Sequence, residues 1–432
     1  MNIIYIGIIK TDIMSDFNVK YKSLEKTKNE LIFNIEGNDK YGLDKSIINS
    51  LRRTLLTYID TISFRPENIK IVKNNTPLHN EFLKERISLL PLYLDPETYD
   101  NDYLFALNII NRDKPVLEVT TNNFDIYPIN EHSKFLINKQ KSMDFVPDDE
   151  NIYIKINENP KEHFNMNQPL SEDKKEKILR PFIHKNKKYF ILLTELKLNN
   201  SDVDVEEIEL YCIPTKGIGL EHARFNNVSK SIYTFKINDK LVKEEFNKYC
   251  KIHNITGKNK TLKEKTFNIE NSEKYYHRDI FLEPYSYDFT IKSNHIYNPS
   301  KLFILSIDIL INSFENLKNK LEKINKVENY TTATIENVKT NTYKIKINDE
   351  DYNTISILQA YSSRYFINSE SFVTVLGYNK YHPLETIMIL NIMIKENQYE
   401  EIQQVNYIIE FIIEIINKIN IDLNILKSKW NL

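Results

Sequence analysis

Catalytic chemistry in this chain would have to come from very few places. Glu221 and His222 put a carboxylate beside an imidazole, the side-chain types of general acid–base work, and Asp202 and Asp204 precede them. Adjacent side chains point in different directions, and neither a nucleophile nor a third orienting group accompanies the pair. A hydrolase or transferase built on these four residues is therefore kept only as an alternative. Just upstream, Lys216-Gly217-Ile218-Gly219 contains a G-x-G, yet it lacks the strand-to-helix setting that a phosphate cradle needs. The two cysteines, Cys212 and Cys250, form no CxxC and have no histidine at ligand spacing, while His132, His163 and His184 are scattered. No Asp-rich triad of the kind that holds metal ions for nucleotidyl transfer is found. We expect no catalytic residue, no metal ligand and no cofactor in this chain.

Composition narrows the class further. A length of 432 residues suggests two or three domains, and a hydrophobic content of 41% is enough for real cores. Lys plus Arg number 58 against 60 Asp plus Glu, a formal net charge of −2. That balance argues against a protein whose main work is coating nucleic acid, and leaves room for local basic patches. Two cysteines make no disulfide framework, so a reducing compartment is expected. The opening MNIIYIGIIKTDIM lacks a basic leader and a small-residue cleavage site, and reads as a terminal strand or loose tail. No stretch approaches the roughly 18 apolar residues of a spanning helix, so a soluble protein with no membrane partner is expected.

The elements that would position side chains are readable along most of the chain. Leu31, Phe33 and Ile35 alternate as a strand. Asp44 is a good N-cap for a helix with Ile47, Ile48, Leu51 and Leu55 on one face and Arg52 and Arg53 on its flank. Asn68–Lys73 reads as a strand, and Thr76 and Pro77 fit the N-cap and first position of a second helix with Leu83, Ile87 and Leu90 inward, stopped by Pro91. Strands follow at Tyr103–Ile110 and Pro115–Thr120. The polar run 131–177 suggests long loops in a mainly β domain, least ordered around 140–175. Ile178–Leu196 reads as a β-ribbon, and 228–237 and 285–294 as strands. Asn298 and Pro299 open a long helix with Phe303, Ile307, Leu310, Phe314, Leu317, Leu321 and Ile324 at alternating steps of four and three, a seam able to pack along another helix. Val327–Lys339 is threonine-rich, a linker candidate. After it come a strand at Thr342–Asp349, a short helix from Asn353 and Thr354, two more strands, and a final helix striped by Ile408, Ile412, Ile416, Ile419, Leu423, Leu426 and Trp430. The second series repeats the plan of the first in miniature.

Two ordered motifs carry a resemblance. INSLRRTLL followed by NNTPLHNEFLKERISLLPL, and later KGIGLEHARF, resemble the alpha-like subunits of multisubunit RNA polymerases: bacterial alpha, archaeal D and the eukaryotic third-largest subunit. Glu350-Asp351-Tyr352-Asn353-Thr354-Ile355, then Gly377-Tyr378 and His382-Pro383-Leu384-Glu385, resemble their small partner, archaeal L or the eleventh eukaryotic subunit. Ser356 stands where that partner has glycine. The resemblance covers most of 30–95, 178–235 and 285–432.

What it implies is an α+β fold in which two polymerase alpha-type dimerisation units form an intramolecular pseudo-dimer with a β-rich insert. The third-subunit-like part would be 1–95 and 215–325, the insert 96–214, the linker 326–340 and the eleventh-subunit-like part 341–432. Ile47, Ile48, Leu51, Phe303, Ile307, Leu310, Phe314, Leu317, Ile408, Ile412, Ile416, Ile419 and Leu423 would form the dimer seam. Arg52 and Arg53, which read alone are an ordinary solvated pair, would contact the second-largest subunit. His79, Glu81, Arg86, Lys216, Glu221, His222 and Arg224 would line a platform for partner subunits, and His382 would be structural. The implied function is a non-catalytic assembly subunit of a DNA-directed RNA polymerase, holding the largest and second-largest subunits together beside a small tenth-subunit-like protein. Mg and Zn would belong to those other subunits, and no sequence-specific nucleic-acid contact is expected. Such fusions imply a large DNA virus, with the cytoplasmic factory and the virion as locations. The alternative is a free-standing viral scaffold or transcription regulator on the same fold.

Overall fold

Alternating runs become strands and four-three runs become helices in the computed structural model, which describes residues 18–23, 29–38, 42–143, 145–198, 205–256, 258–271, 274–279, 282–294, 297–324, 331–339, 341–382 and 384–430. The first half of the chain runs β1 (Asn18–Ser23), β2 (Glu30–Glu36), α1 (Lys45–Thr57), β3 (Asp60–Asn74), α2 (Asn80–Ser88), β4 (Tyr103–Ile110), β5 (Val116–Thr120), β6 (Asp125–Pro128), α3 (Glu131–Lys141), α4 (Ile152–Glu158), α5 (Pro160–His163), α6 (Glu172–Ile178), β7 (Phe182–His184), β8 (Lys187–Tyr189), β9 (Leu192–Lys197) and β10 (Glu207–Ile218). The second half runs β11 (Val228–Phe235), α7 (Asp239–Ile252), α8 (Lys258–Asn271), β12 (Ser286–Ser293), α9 (Pro299–Glu322), β13 (Ala333–Lys339), β14 (Thr342–Ile347), α10 (Tyr352–Tyr361), β15 (Val373–Asn379), β16 (Met388–Ile394) and α11 (Glu401–Trp430). The terminal run 1–14, Asp202, Asp204 and Pro383 lie outside the described residues.

The chain falls into two compact units, one made of 1–56, 228–293 and 298–432, the other of 57–227 and 294–297. In the first, two antiparallel four-stranded sheets have the orders β1-β2-β12-β11 and β13-β14-β16-β15. Each follows the same route: an antiparallel strand pair, a helix (α1 or α10), a second antiparallel pair (with α7 and α8 inserted between β11 and β12) whose later strand joins the first pair's second strand, then a long helix (α9 or α11). Those long helices pack antiparallel. Trp430 Nε1 donates to Ser300 Oγ at 2.9 Å, Lys427 pairs with Asp308, Asn420 Nδ2 donates to Glu315 at 2.8 Å, and Lys318 Nζ donates to Asn417 Oδ1 at 3.2 Å. Between these polar rungs, Phe303, Ile307, Leu310, Phe314 and Leu317 of α9 and Ile408, Ile412, Ile416, Ile419 and Leu423 of α11 are fully buried or nearly so. Each such side chain contributes about 1.5–3 kcal/mol. Ile47, Ile48 and Leu51 of α1 are buried in the same unit. Trp430 lies against Phe303 and Phe33, with ring centroids 4.3 and 4.6 Å away, so α11 ends in the aromatic core under β2 and β12.

Polar contacts fix the register of this unit. Asp44 caps α1 by accepting from Ser46 N at 2.8 Å, and its other oxygen accepts from Arg364 at 3.1 Å. Arg364, in a wide π-type turn after α10, also pairs with Asp279 at 2.5 Å. All three are largely buried, which brings charges from three chain segments together out of water. Close by in the fold, Tyr361 donates to Asp422 of α11 at 2.8 Å. At the other end of α9, Lys320 pairs with Glu350 at 2.9 Å, and burial holds that carboxyl above its usual range.

The second unit is centred on the sheet β3-β10-β4-β6. Its main core joins Phe64 and Ile69 of β3, Leu83 and Ile87 of α2, Phe105 and Leu107 of β4, and Leu193 and Leu196 of β9. β3 and α2 thus share a core with β4 and β9, and the two compact units divide at 56/57 and 227/228.

Three expectations are corrected. The polar stretch 131–177 carries α3 to α6 instead of long loops, because Asn130 and Asn151 cap helices and the sparse Ile137, Ile152, Ile156 and Phe164 pack on Leu104, Tyr211 and Ile213. The linker candidate contains β13, its β-branched residues pairing with β14. α2 starts after His79, whose Nδ1 accepts from Glu81 N at 3.3 Å, since Thr76 bonds back to Asn74 in a local turn. Among the described residues no helix is long and apolar enough to cross a membrane.

Two outcomes follow from these contacts. Arg364→Met leaves two carboxylates buried without their cation, and urea unfolding followed by circular dichroism should show a loss of about 3–5 kcal/mol. His163, bonded to Ser133 at 2.8 Å, and His277 are both held below the ordinary imidazole value of 6.5, mainly by burial. The unfolded chain then takes up protons first, so stability is retained above that value and lost as pH falls through it. Thermal midpoints should drop from about pH 7.5 to about pH 5.5, and replacing both histidines by glutamine should flatten the drop.

Candidate interaction surface

In the first unit, α1 turns Ile47, Ile48, Leu51 and Leu55 inward, which leaves Arg52 and Arg53 half-buried on its flank. Arg52 Nε donates to Asn49 Oδ1 at 3.0 Å, one helical turn back, and its carbonyl accepts from Ser231 Oγ of β11. The guanidinium is thereby oriented along the helix. Burial raises the phenol of Tyr233, with Arg52 opposing that shift.

In the second unit, the Lys216–Phe225 segment folds back on its own sheet. β10 pairs with β3 from Pro214↔Phe64 to Ile218↔Asp60, and the chain then turns so that the Phe225 ring covers Gly217. A Cβ at Gly217 would lie 2.6 Å from that ring, so only glycine fits without a shift. His222 caps the short turn Ala223–Phe225, its Nδ1 accepting from Arg224 N at 3.1 Å. Arg65 of β3 organises the outer side: it pairs with Glu221 at 2.5 Å, donates to Thr215 and to the Lys216 carbonyl, and lies 5.0 Å over the Phe225 ring. Arg224 runs inward, donating to the Phe64 carbonyl at 3.4 Å and meeting Glu85 of α2 at 3.5 Å, while Ser63 and Ser88 tie β3 to the end of α2.

Glu221 and Arg224 are thus engaged inside the unit, and His222 has a local capping role. Lys216, His79, Glu81 and Arg86 are exposed. α2 shows Phe82, Glu85, Arg86 and Leu89 on one outward face, Phe82 being 72% exposed and Leu89 59%. Sequence reasoning missed Arg65, whose partners lie about 150 residues away in the chain, and the outward pair Phe82 and Leu89, which the i, i+7 spacing alone could have flagged. His382 is exposed and accepts from Leu384 N at 3.1 Å in the turn before β16. Cys212 is fully buried, its thiol pushed far above the ordinary range. Among the described residues no group of three or more His, Cys, Asp or Glu is placed to hold a metal ion.

No family model matches the chain. One stretch is 31% identical over 83 residues to the Dictyostelium discoideum protein described as DNA-directed RNA polymerases I and III subunit rpac1, covering 19% of this chain and 22% of that protein. The similarity is to alpha-like RNA polymerase subunits. The Rpo3 subunit of the DNA-directed RNA polymerase of Pyrococcus horikoshii is 29% identical over 86 residues, 20% of this chain and 30% of that one, and that of Methanosphaera stadtmanae 32% over 75 residues, 17% and 25%. The chain therefore matches less than a third of the length of these relatives.

The packing around Gly217 is directly testable. Gly217→Ala must displace the Phe225 ring, and we expect a loss of about 1–3 kcal/mol in urea unfolding together with faster proteolysis within Ile218–Asn227.

Proposed function

We propose that this chain is a non-catalytic assembly platform of a multisubunit DNA-directed RNA polymerase, holding the two large catalytic subunits together. The observation that carries the proposal is the repeated route of strand pair, helix, strand pair and long helix in the first unit, with α9 and α11 packed antiparallel. The partial similarity to alpha-like subunits gives that arrangement its context. On this reading, 18–56 with 228–324 is the third-subunit-like half and 331–430 the eleventh-subunit-like half of a fused pseudo-dimer. Fusion makes the docking of two apolar helices independent of protomer concentration.

Arg52 and Arg53 would face the second-largest subunit. In the second unit, the outward face of α2, with His79, Glu81, Phe82 and Arg86, and the exposed Lys216 would meet partner subunits, a small tenth-subunit-like protein among them. Glu221, His222 and Arg224 would act by holding that surface in shape. Nucleotidyl transfer, with its Mg, and any Zn would reside in the other subunits. The setting proposed with this function is transcription by a large DNA virus, in the cytoplasmic factory and the virion, and it rests on the resemblance alone.

Arg52→Glu combined with Arg53→Glu should leave the chain folded and lower recovery of both large subunits in a pull-down from the native source by about tenfold or more. Unchanged recovery sinks the assignment of these arginines. Purification of the native chain without any polymerase subunit would favour a free-standing scaffold or regulator.

A further inference from the structure

The second unit also carries a small ribbon. β7 and β8 form an isolated antiparallel hairpin joined by Lys185 and Asn186, both with positive φ (48° and 63°), the geometry of a tight two-residue hairpin turn. Every residue from Phe182 to Tyr189 is exposed, with Phe182 at 70%. Opposed residues of an antiparallel pair share a face. Phe182 opposes Tyr189 and His184 opposes Lys187, so these four lie on one side, and Ile183 and Lys188 on the other. The second side faces the protein's own α6, since Lys188 pairs with Glu176 at 2.6 Å.

Both sides are open to solvent, Ile183 at 63% and Tyr189 at 51%, and it is the first side that carries the rings together with Lys187. The Phe182 and His184 rings lie nearly parallel, 8° apart with centroids at 6.4 Å. Lys187 stands beside them and Lys185 at the tip, and neither is paired with a carboxylate among the described residues. Arg180, at the base, covers the Tyr93 ring at 4.0 Å. The segment RPFIHKNKKY contains no acidic residue, on a chain whose formal charge is −2.

We propose that this ribbon binds single-stranded nucleic acid, with Phe182, His184 and Tyr189 stacking on bases and Lys185 and Lys187 on phosphates. Flat rings set beside cations offer stacking to bases and charge to phosphates of an unpaired strand, and stacking needs no particular sequence. An acidic protein segment would use the lysines and leave the parallel rings without a role. A duplex hides the faces of its bases. The inference is independent of the polymerase reading, because it rests on the ribbon alone.

The test uses the full chain and a fluorescein-labelled oligo-dT of about 20 nucleotides, followed by anisotropy across a salt series. Lys185→Glu with Lys187→Glu should weaken binding at least about tenfold and reduce the salt slope by roughly 0.7 for each lost phosphate contact. Phe182→Ala with Tyr189→Ala should weaken it about tenfold while leaving the slope unchanged. Both pairs are exposed, so thermal midpoints should stay at the wild-type value. Ultraviolet cross-linking of a bromouridine-bearing strand to the wild-type chain, mapped by mass spectrometry, should land within Phe182–Tyr189. The proposal is overturned if wild type fails to bind, if cross-links fall elsewhere, or if neither variant changes affinity. It is equally overturned if a duplex of the same length or a polyglutamate peptide binds as tightly as the single strand.

Discussion

The antiparallel contact of α9 and α11 is the interaction on which the first unit depends. Each helix is amphipathic and follows a sheet of only four strands, too little apolar surface to make a core alone. Laid against one another, they give both sheets a common interior, and Trp430 carries that interior into the aromatic cluster of Phe33, Phe289 and Phe303. The polar rungs between the helices contribute little energy by themselves. Their value lies in direction and register, since a helix slid by one turn would take Asn420 from Glu315 and Lys427 from Asp308.

The cluster of Arg364, Asp44 and Asp279 has a similar role at higher cost. Desolvating three charges offsets most of their attraction, so the cluster adds little net stability while it fixes where three chain segments meet. Asp44 joins two tasks in one side chain, because the carboxylate that caps α1 is also the one that receives Arg364 from beyond α10. The start of α1 is therefore tied to the second half of the chain, and with it the helix that presents Arg52 and Arg53. The same economy recurs in the second unit, where Arg65 and Arg224 use the ends of their side chains to hold a turn rather than to reach outward.

Where a pattern depends on one element, it could be read in the sequence. The four-three stripes from Phe303 to Leu321 and from Ile408 to Trp430, the cap at Asp44 and the alternating strands 31–35 and 342–347 all stand where periodicity puts them. Features that depend on distant partners could not be read. Thr76 was eligible to cap α2, and only its bond to Asn74 takes it away. Ile152 and Ile156 are too sparse to announce a helix until Leu104 and Tyr211 supply the other side of their core. Among the candidate surface residues, exposure at His79, Glu81 and Arg86 agrees with their polar character, whereas the inward course of Arg224 is set by Phe64 and Glu85. Charge type locates a residue near a surface; it does not say which way the group at its end will turn.

Trp430 is the one tryptophan of the chain, and it sits 2% exposed between Phe33 and Phe303, where α11 meets the β1-β2-β12-β11 sheet. Its indole therefore acts as a built-in optical gauge: emission is blue while the last helix is seated and moves to the red once water reaches the ring. Any event that loosens that seat, whether heat, denaturant or an arriving partner, writes itself into one intrinsic signal with no label attached.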